Sequence, residues 1–318
     1  MKEEKHDQKK KNIFSNYKFV PILAVFACFL WGSAFPIIKI SYEELAIASE
    51  DIFSKMLFAG YRFLLASIFL FVWRLFSTGN KSIKMERKYL PFLTGLGLMQ
   101  TTLQYFFFYI GLANTTGVKG SILTTLGTFF TVIISHYLYL DDKIDRNKIL
   151  GLIAGFTGVV IINLNKGSFS FNFKLLGEGF VIASAITSTI AAIMVKNSKH
   201  KVDRILLTAY QMFIGSLFLI IISVFAVNPL SLNFSFKALF LFIYLAFISA
   251  AGFGIWFSLI KYNRLGYISI YRFIIPISGS LLSALFLVDE SIGSNTIIAL
   301  LMVSFGIVMI NRVQRETP

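Results

Sequence analysis

The second half of this chain repeats the first. Tyr61-Arg62-Phe63-Leu64-Leu65-Ala66-Ser67 lines up with Tyr210-Gln211-Met212-Phe213-Ile214-Gly215-Ser216, a shift of 149 residues. At the same shift Asn114 meets Asn263, Gly117 meets Gly266 and Asp141 meets Glu290; at 148, Gly158 meets Gly306 and Asn163 meets Asn311. A third pairing, shifted by 157, sets Trp31 through Lys39 against Ser188 through Lys196, and the eight extra residues fit an insertion in the acidic stretch Ser41–Asp51. A fold built from two copies of one unit places its special features where the copies meet.

The repeated unit is apolar throughout. Hydrophobic residues make up 56% of the 318 residues and charged residues only 14%, with a mean hydropathy of +0.73. A soluble chain of this length carries more charge, so the sequence predicts an all-α protein spanning a lipid bilayer. A span needs about 20 apolar residues. Ten such stretches are readable, at about 20–40, 52–73, 89–112, 118–140, 147–164, 176–196, 205–227, 237–260, 267–288 and 294–311. They divide into a basic N-terminal tail (1–18), a first repeat (19–164) and a second repeat (176–311). The tail has the start of a signal peptide but no small-residue cleavage site, so the first span is expected to be retained.

Lysine and arginine set the orientation. With the N-terminus inside, 22 of the 30 basic residues fall in cytoplasmic segments, which puts both termini in the cytoplasm of a cell-membrane protein. Five spans per repeat is odd, so the second copy enters from the opposite face and the repeats are inverted. Inverted repeats with a substrate site near the midplane are a design of secondary transporters. The formal charge of +14 does not indicate nucleic acid, because the cations sit in short loops beside apolar runs, where anionic lipid attracts them. Cys28 is the single cysteine, and His6, His136 and His200 share no ligand spacing. No disulfide, metal or cofactor is expected. The expected partners are the bilayer and a small-molecule substrate, with the protein a monomer or homodimer.

Trp31-Gly32-Ser33-Ala34-Phe35 with Lys39, followed by Tyr61-Arg62-Phe63, resembles the EamA-type family of the drug/metabolite transporter superfamily. So do Leu123-Thr124-Thr125 leading to Asp141, and Ile274-Ile275-Pro276 leading to Glu290. The resemblance runs from about residue 20 to 311. It implies ten transmembrane helices in two inverted repeats and a central cavity lined by spans 1, 3, 4, 6, 8 and 9. It also implies transport of small metabolites, often export of amino acids or related compounds. The chain departs from the pattern at Gly127, where proline is common and the counterpart Pro276 keeps it, and at Asp141-Asp142, where glutamate is usual.

Several residues stand out at membrane depth. Pro36 and Pro276 interrupt spans, with Gly32 and Gly127 nearby; each is a hinge candidate or an ordinary packing kink. Arg62 lies about ten residues into its span, ~15 Å deep at 1.5 Å per residue. A central arginine costs ~2.5–3.5 kcal/mol to insert and must find partners inside. It either clamps backbone carbonyls or holds a substrate carboxylate. Arg272 either snorkels to the inner surface or guards the inner mouth. Lys39 and Lys196 sit at helix ends as anchors, and Glu178 is the one acidic candidate near a span. The resemblance, together with the cost of leaving amides in lipid, implies a midplane cavity touching Trp31, Gln100, Gln104, Thr125, Ser188, Trp256 and Pro276.

Rival classes lack their marks. An intramembrane enzyme needs a nucleophile–base pair or metal cluster, a channel needs a charged ring or filter, and a receptor or scaffold needs a soluble domain or long loops. The reading is a transporter of small metabolites, with amino acids or related carboxylates exported by alternating access. The alternatives are a multidrug or nucleoside-type permease of the same fold, or a membrane protein that carries nothing.

Overall fold

The computed structural model describes residues 13–77, 83–115, 117–163, 173–198, 203–287 and 293–314. Among them there is no strand, and ten helical rods follow one another. They are α1 (Phe19–Glu44), α2 (Ile52–Ser77), α3 (90–113), α4 (117–138), α5 (Arg146–Asn163), α6 (Leu175–Asn197), α7 (Arg204–Val224), α8 (Phe236–Tyr262), α9 (Leu265–Phe286) and α10 (Ser294–Gln314).

Four of the rods are interrupted. α3 carries a π-helical stretch, Leu98–Leu103, between two α segments. α4 breaks at Thr125, between Gly117–Thr124 and Leu126–Leu138. α6 opens with a π-helical turn, Leu175–Gly179, and α9 passes through a 3₁₀ segment, Ile270–Phe273. Polar caps begin others: Asp203 accepts from the Leu206 N–H before α7, and Ser235 from Ala238 before α8.

Ten crossing helices were expected, and seven of the ten rods are long and apolar enough to cross a membrane: α1, α2, α4, α6, α7, α8 and α9. The physical reasons for the shortfall differ. α3 is uncharged but carries Gln100, Thr101, Thr102 and Gln104 in its middle, α5 has 18 residues and starts with Arg146 and Lys148, and α10 has a short apolar stretch, Ser294–Ile310. Large apolar side chains cover the outer surface, among them Trp73, Phe76, Phe240 and Leu301, while Thr208, Gln211 and Ser216 are fully buried. An apolar exterior around a partly polar interior fits lipid rather than water. The protein is an integral membrane protein.

The packing follows the duplication. α1 lies against α8 and α9, as α6 lies against α3 and α4; α2 meets α8 as α7 meets α3; and α2–α7, α4–α9 and α5–α10 pair with their own counterparts. Equivalent residues make equivalent bonds. The Tyr61 hydroxyl donates to the Pro229 carbonyl and Tyr210 to that of Ile83, both at 2.9 Å. Asn114 donates to Ile110 O at 2.8 Å and Asn263 to Leu259 O at 2.9 Å. The Asn163 amide donates to Val159 O; the side chain of Asn311 and all of Glu290 lie outside the described residues.

Self-paired rods run in opposite directions. Gly60, early in α2, abuts Ile220, late in α7, while Arg74 near the end of α2 meets Asp203 before α7. Gly151 of α5 lies on Ile310 and Gly158 on Ala299. A pseudo-twofold axis relating antiparallel partners must lie across the rods, not along them. Glycine makes these approaches possible: a Cβ on Gly215 would fall 2.5 Å from the Gly97 carbonyl oxygen of α3.

Candidate functional site

Two arginines, one from each repeat, enter the interior. Arg62 of α2 is 4% exposed. Its guanidinium carbon sits 4.5 Å from the Phe63 ring centroid and 5.9 Å from that of Tyr105 in α3, and its buried Nε has no hydrogen-bond partner. Arg272 projects from the 3₁₀ segment of α9, where its Nη2 donates to Ser188 Oγ of α6 at 3.5 Å. Its Nη1 comes within 3.6 Å of the place a Cβ on Gly127 would take. Tyr105 is within electrostatic reach of both guanidiniums, and Cys28 of that of Arg272. Among the described residues, no carboxylate lies within ion-pair distance of either arginine; the pairs present use Arg74, Lys88, Lys119, Lys148 and Lys237.

Aromatic rings frame the Arg62 side. Phe63 packs on Tyr105 (4.7 Å between centroids) and on Phe253 (6.3 Å); Trp31 meets Phe253 at 5.0 Å and Trp256 at 5.4 Å. Cation–π contact of this kind gives a desolvated guanidinium about 2 kcal/mol, less than the insertion cost above. The Trp31 Nε1 is buried and unbonded, pressed against α8 where Gly252 has no side chain. The Tyr42 hydroxyl donates to Tyr109 at 3.4 Å, adding α1 to the polar interior.

The structure distributes the other sequence candidates as follows. Gln100, 5% exposed in the π-helical stretch, donates to Gln104 Oε1, and the Gln104 carbonyl accepts from Ser184 of α6 at 2.9 Å. Both glutamines turn toward protein. Thr125 is buried at the break in α4, its hydroxyl turned back to Ile122 O. The break falls there rather than at Gly127, whose carbonyl accepts from Thr131 and Thr189. Gly32 is a contact point of α1 with α9, because a Cβ there would fall 2.0 Å from Ser278 Oγ. Pro36 lies inside the continuous α1, where it removes the bond to the Gly32 carbonyl. Pro276 follows directly on the 3₁₀ segment, in the first turn of Ile274–Phe286, where a missing N–H costs little.

Lys39 and Lys196, counterparts in sequence, differ in surroundings. Lys39 is exposed, and Lys196 donates to the Asn263 carbonyl at 2.5 Å. Glu178 is buried: Oε1 accepts from Lys119 Nζ at 2.7 Å and from the Thr115 hydroxyl at 2.8 Å, and Oε2 from the Lys174 N–H at 2.7 Å.

At the other end of α4, Asp142 is 1% exposed and accepts from Lys148 Nζ and the Gly266 N–H, each at 2.6 Å. Asp141 beside it is exposed. Alignment by the 149-residue shift picks out Asp141; the residue that binds is Asp142, which the 148-residue shift would have chosen. Tyr139 in the same segment has its phenol pushed up by burial and donates to Asn197 at 2.8 Å. Two apolar grooves, one lined by Phe69, Phe240 and Phe247 and the other by Ile22, Phe26 and Phe29, lie among lipid-facing side chains and share nothing with the cluster.

The same duplication appears in known proteins. The EamA-like transporter family matches residues 18–164 and again 175–312. The chain belongs to the EamA-like transporter family. Its function is therefore membrane transport, a non-enzymatic class. An uncharacterized transporter, YvbV of Bacillus subtilis, is 26% identical over 91% of this chain and 90% of its own. An uncharacterized transporter of Archaeoglobus fulgidus is 28% identical over 80% and 85%. A crystal structure with 14% sequence identity superposes with a TM-score of 0.74, covering 92% of this chain and 98% of the other, and shares the fold.

Proposed function

We propose that this EamA-like protein carries small carboxylate-bearing metabolites, amino acids or close relatives, across the cell membrane by alternating access. In this reading ten helices cross the bilayer as two inverted five-helix repeats, with both termini in the cytoplasm. One observation carries the substrate class: Arg62, packed on the Tyr105 ring, and Arg272, bonded to Ser188, both enter the interior with no described carboxylate within ion-pair distance of either. Two uncompensated cations favour an anionic or zwitterionic ligand, and repel an organic cation unless an acid or aromatic cage offsets them. The antiparallel pairing of equivalent rods supports two mirror-like states, one open to each side. Export is the direction that the family resemblance favours.

The aromatic frame of Trp31, Phe253 and Trp256 favours a second reading, a permease for flat apolar drugs. Flux into liposomes containing the purified protein separates the two. Uptake of labelled amino acids that falls in Arg62→Gln supports the carboxylate reading. Uptake of a quaternary ammonium compound, indifferent to Arg62→Gln and without amino-acid flux, refutes it.

A further inference from the structure

Asn114 and Asn263 end equivalent helices, yet their carbonyls are aimed differently. Asn263 is extended, at φ −125° and ψ 169°, whereas Asn114 has φ −107° and ψ 4°. Because ψ turns the carbonyl about the Cα–C bond, the two oxygens face nearly opposite ways relative to the helices they end. The Asn263 oxygen accepts from Lys196 Nζ at the end of α6. The side chains differ too. Each amide donates to a carbonyl one turn back in its own helix, that of Ile110 or Leu259. Asn263 Nδ2 donates as well to the Phe14 carbonyl at 2.8 Å.

Phe14 belongs to the segment 13–18 that leads into α1. Asn16 turns that segment: its carbonyl accepts from the Phe19 and Val20 N–H groups and its Oδ1 from the Lys18 N–H. The chain ahead of Asn16 meets the end of α8, where Phe14 packs on the apolar core and its carbonyl takes the Asn263 amide. The turn between α8 and α9 consists of Asn263 and Arg264, so a grip on Asn263 holds half of it. Two bonds tie this region to the facing rods. Lys196 of α6 donates to the Asn263 carbonyl, and the Gly266 N–H donates to Asp142 just beyond α4. Tyr139 donates to Asn197, so the ends of α4 and α6 are themselves joined. For the interior to open at this end, the inner one in the proposed orientation, the turn must part from both.

We propose that the segment before α1 pins the inner gate: by holding the Asn263 amide it keeps residue 263 extended, with its carbonyl aimed at Lys196. Asn263 is then a positioning residue for transport, acting through the Lys196 bond, and release of the segment favours inward opening. The idea rests on alternating access and on the proposed orientation, and not on the substrate class.

The test uses the full chain with Cys28→Ala and Ser188→Cys, in right-side-out and in inside-out vesicles, and the small impermeant thiol reagent sulfonatoethyl methanethiosulfonate. Ser188 is 6% exposed and bonded to Arg272 in the interior, so its labelling reports opening. From the inner face, Asn263→Ala is expected to label about fivefold faster than the parent, the change that one neutral hydrogen bond of ~1 kcal/mol makes in an equilibrium. Asn114→Ala, which loses the equivalent helix-end bond alone, should stay within about twofold of the parent from that face, ~0.4 kcal/mol. Phe14→Ala should act in the same direction as Asn263→Ala. Combined, the two should give less than the product of their factors, because both release one segment. From the outer face neither should label faster than the parent, which separates a gate from a general loss of stability.

Labelling of Asn263→Ala no faster than that of Asn114→Ala from the inner face overturns the proposal, as does equal acceleration from both faces or a full product in the double variant. Acceleration from the opposite face alone would keep the pin and invert the topology. Absence of labelling from either face in every variant would remove the pin and alternating access together. The carboxylate reading is decided by flux, and none of these outcomes alters it.

Discussion

Replacing Asp142 by alanine should be among the most destabilising single changes outside the apolar core. Asp142 joins the end of α4 to the start of α9 by accepting from the Gly266 N–H, and it neutralises Lys148, itself 3% exposed. Without it the ammonium keeps the Lys143 carbonyl but loses its counter-charge. Removing one member of a buried pair costs about 3–5 kcal/mol, because the other charge stays desolvated. Asp142→Asn keeps an acceptor for Gly266 and should fall between parent and alanine. Two controls isolate the cause. Asp141→Ala, at an exposed neighbour, should stay within about 0.5 kcal/mol of the parent. Asp142→Ala/Lys148→Met, which removes the stranded ammonium as well, should recover at least about 1 kcal/mol of the single-variant loss. The assay is unfolding in mixed micelles at rising dodecyl sulfate, followed by circular dichroism. An Asp142→Ala variant within about 1 kcal/mol of the parent, or no less stable than Asp141→Ala, would refute the argument.

Other outcomes follow from the same geometry. Arg62→Gln should cut flux of a transported carboxylate by about tenfold or more, the loss of one charge-assisted bond of ~1.5–3 kcal/mol, measured as initial rates in liposomes. Gly32→Ala should cost about 1–3 kcal/mol in the micelle assay, because its Cβ would strike Ser278 Oγ, whereas Gly127→Ala, with nothing nearer than 3.5 Å, should be tolerated. Ser49→Cys in a Cys28→Ala background should react with an impermeant maleimide on intact cells, since Ser49 lies in the exposed loop between α1 and α2; reaction only after lysis would invert the proposed topology.

What the sequence made legible, and what it hid, have separate physical causes. Spans are long apolar runs, and the duplication survives because Tyr61 and Tyr210, or Asn114 and Asn263, each satisfy a backbone carbonyl that lipid cannot. Those signals are local or periodic. The interruptions are neither: Leu98–Leu103 reads as continuous helix until Gly97 is seen to need the backbone of Gly215, and the π-helical stretch begins there. Glu178 was visible as an acid near a helix start, but only the fold brings Lys119 to it across 59 residues. Nothing local marks Tyr105, whose place against the Arg62 guanidinium depends on α2 and α3 converging. Asp142 was hidden by one position of register, which a mean shift between repeats cannot resolve.

The residues that keep the symmetry and those that break it divide the work. Tyr61/Tyr210, Ser67/Ser216 and Asn114/Asn263 are matched: the tyrosines each reach a carbonyl outside their own rod, and the serines and asparagines each bond a carbonyl of their own helix. The polar interior is unmatched: Arg62 faces Gln211 in the alignment, Arg272 faces Leu123, Lys119 faces Ile268, and Glu178 faces Pro21. Trp31 and Ser188, equivalent by the 157-residue shift, both end in the interior, one on an aromatic wall and the other on Arg272. A fully symmetric pair of halves would make inward- and outward-open states equal in energy and in chemistry. Placing the lysine–glutamate clasp at one end of α4 and the aspartate clasp at the other makes the two openings break different bonds. Each end can then respond to a different signal, one tied by a lysine–glutamate pair and the other through a backbone N–H.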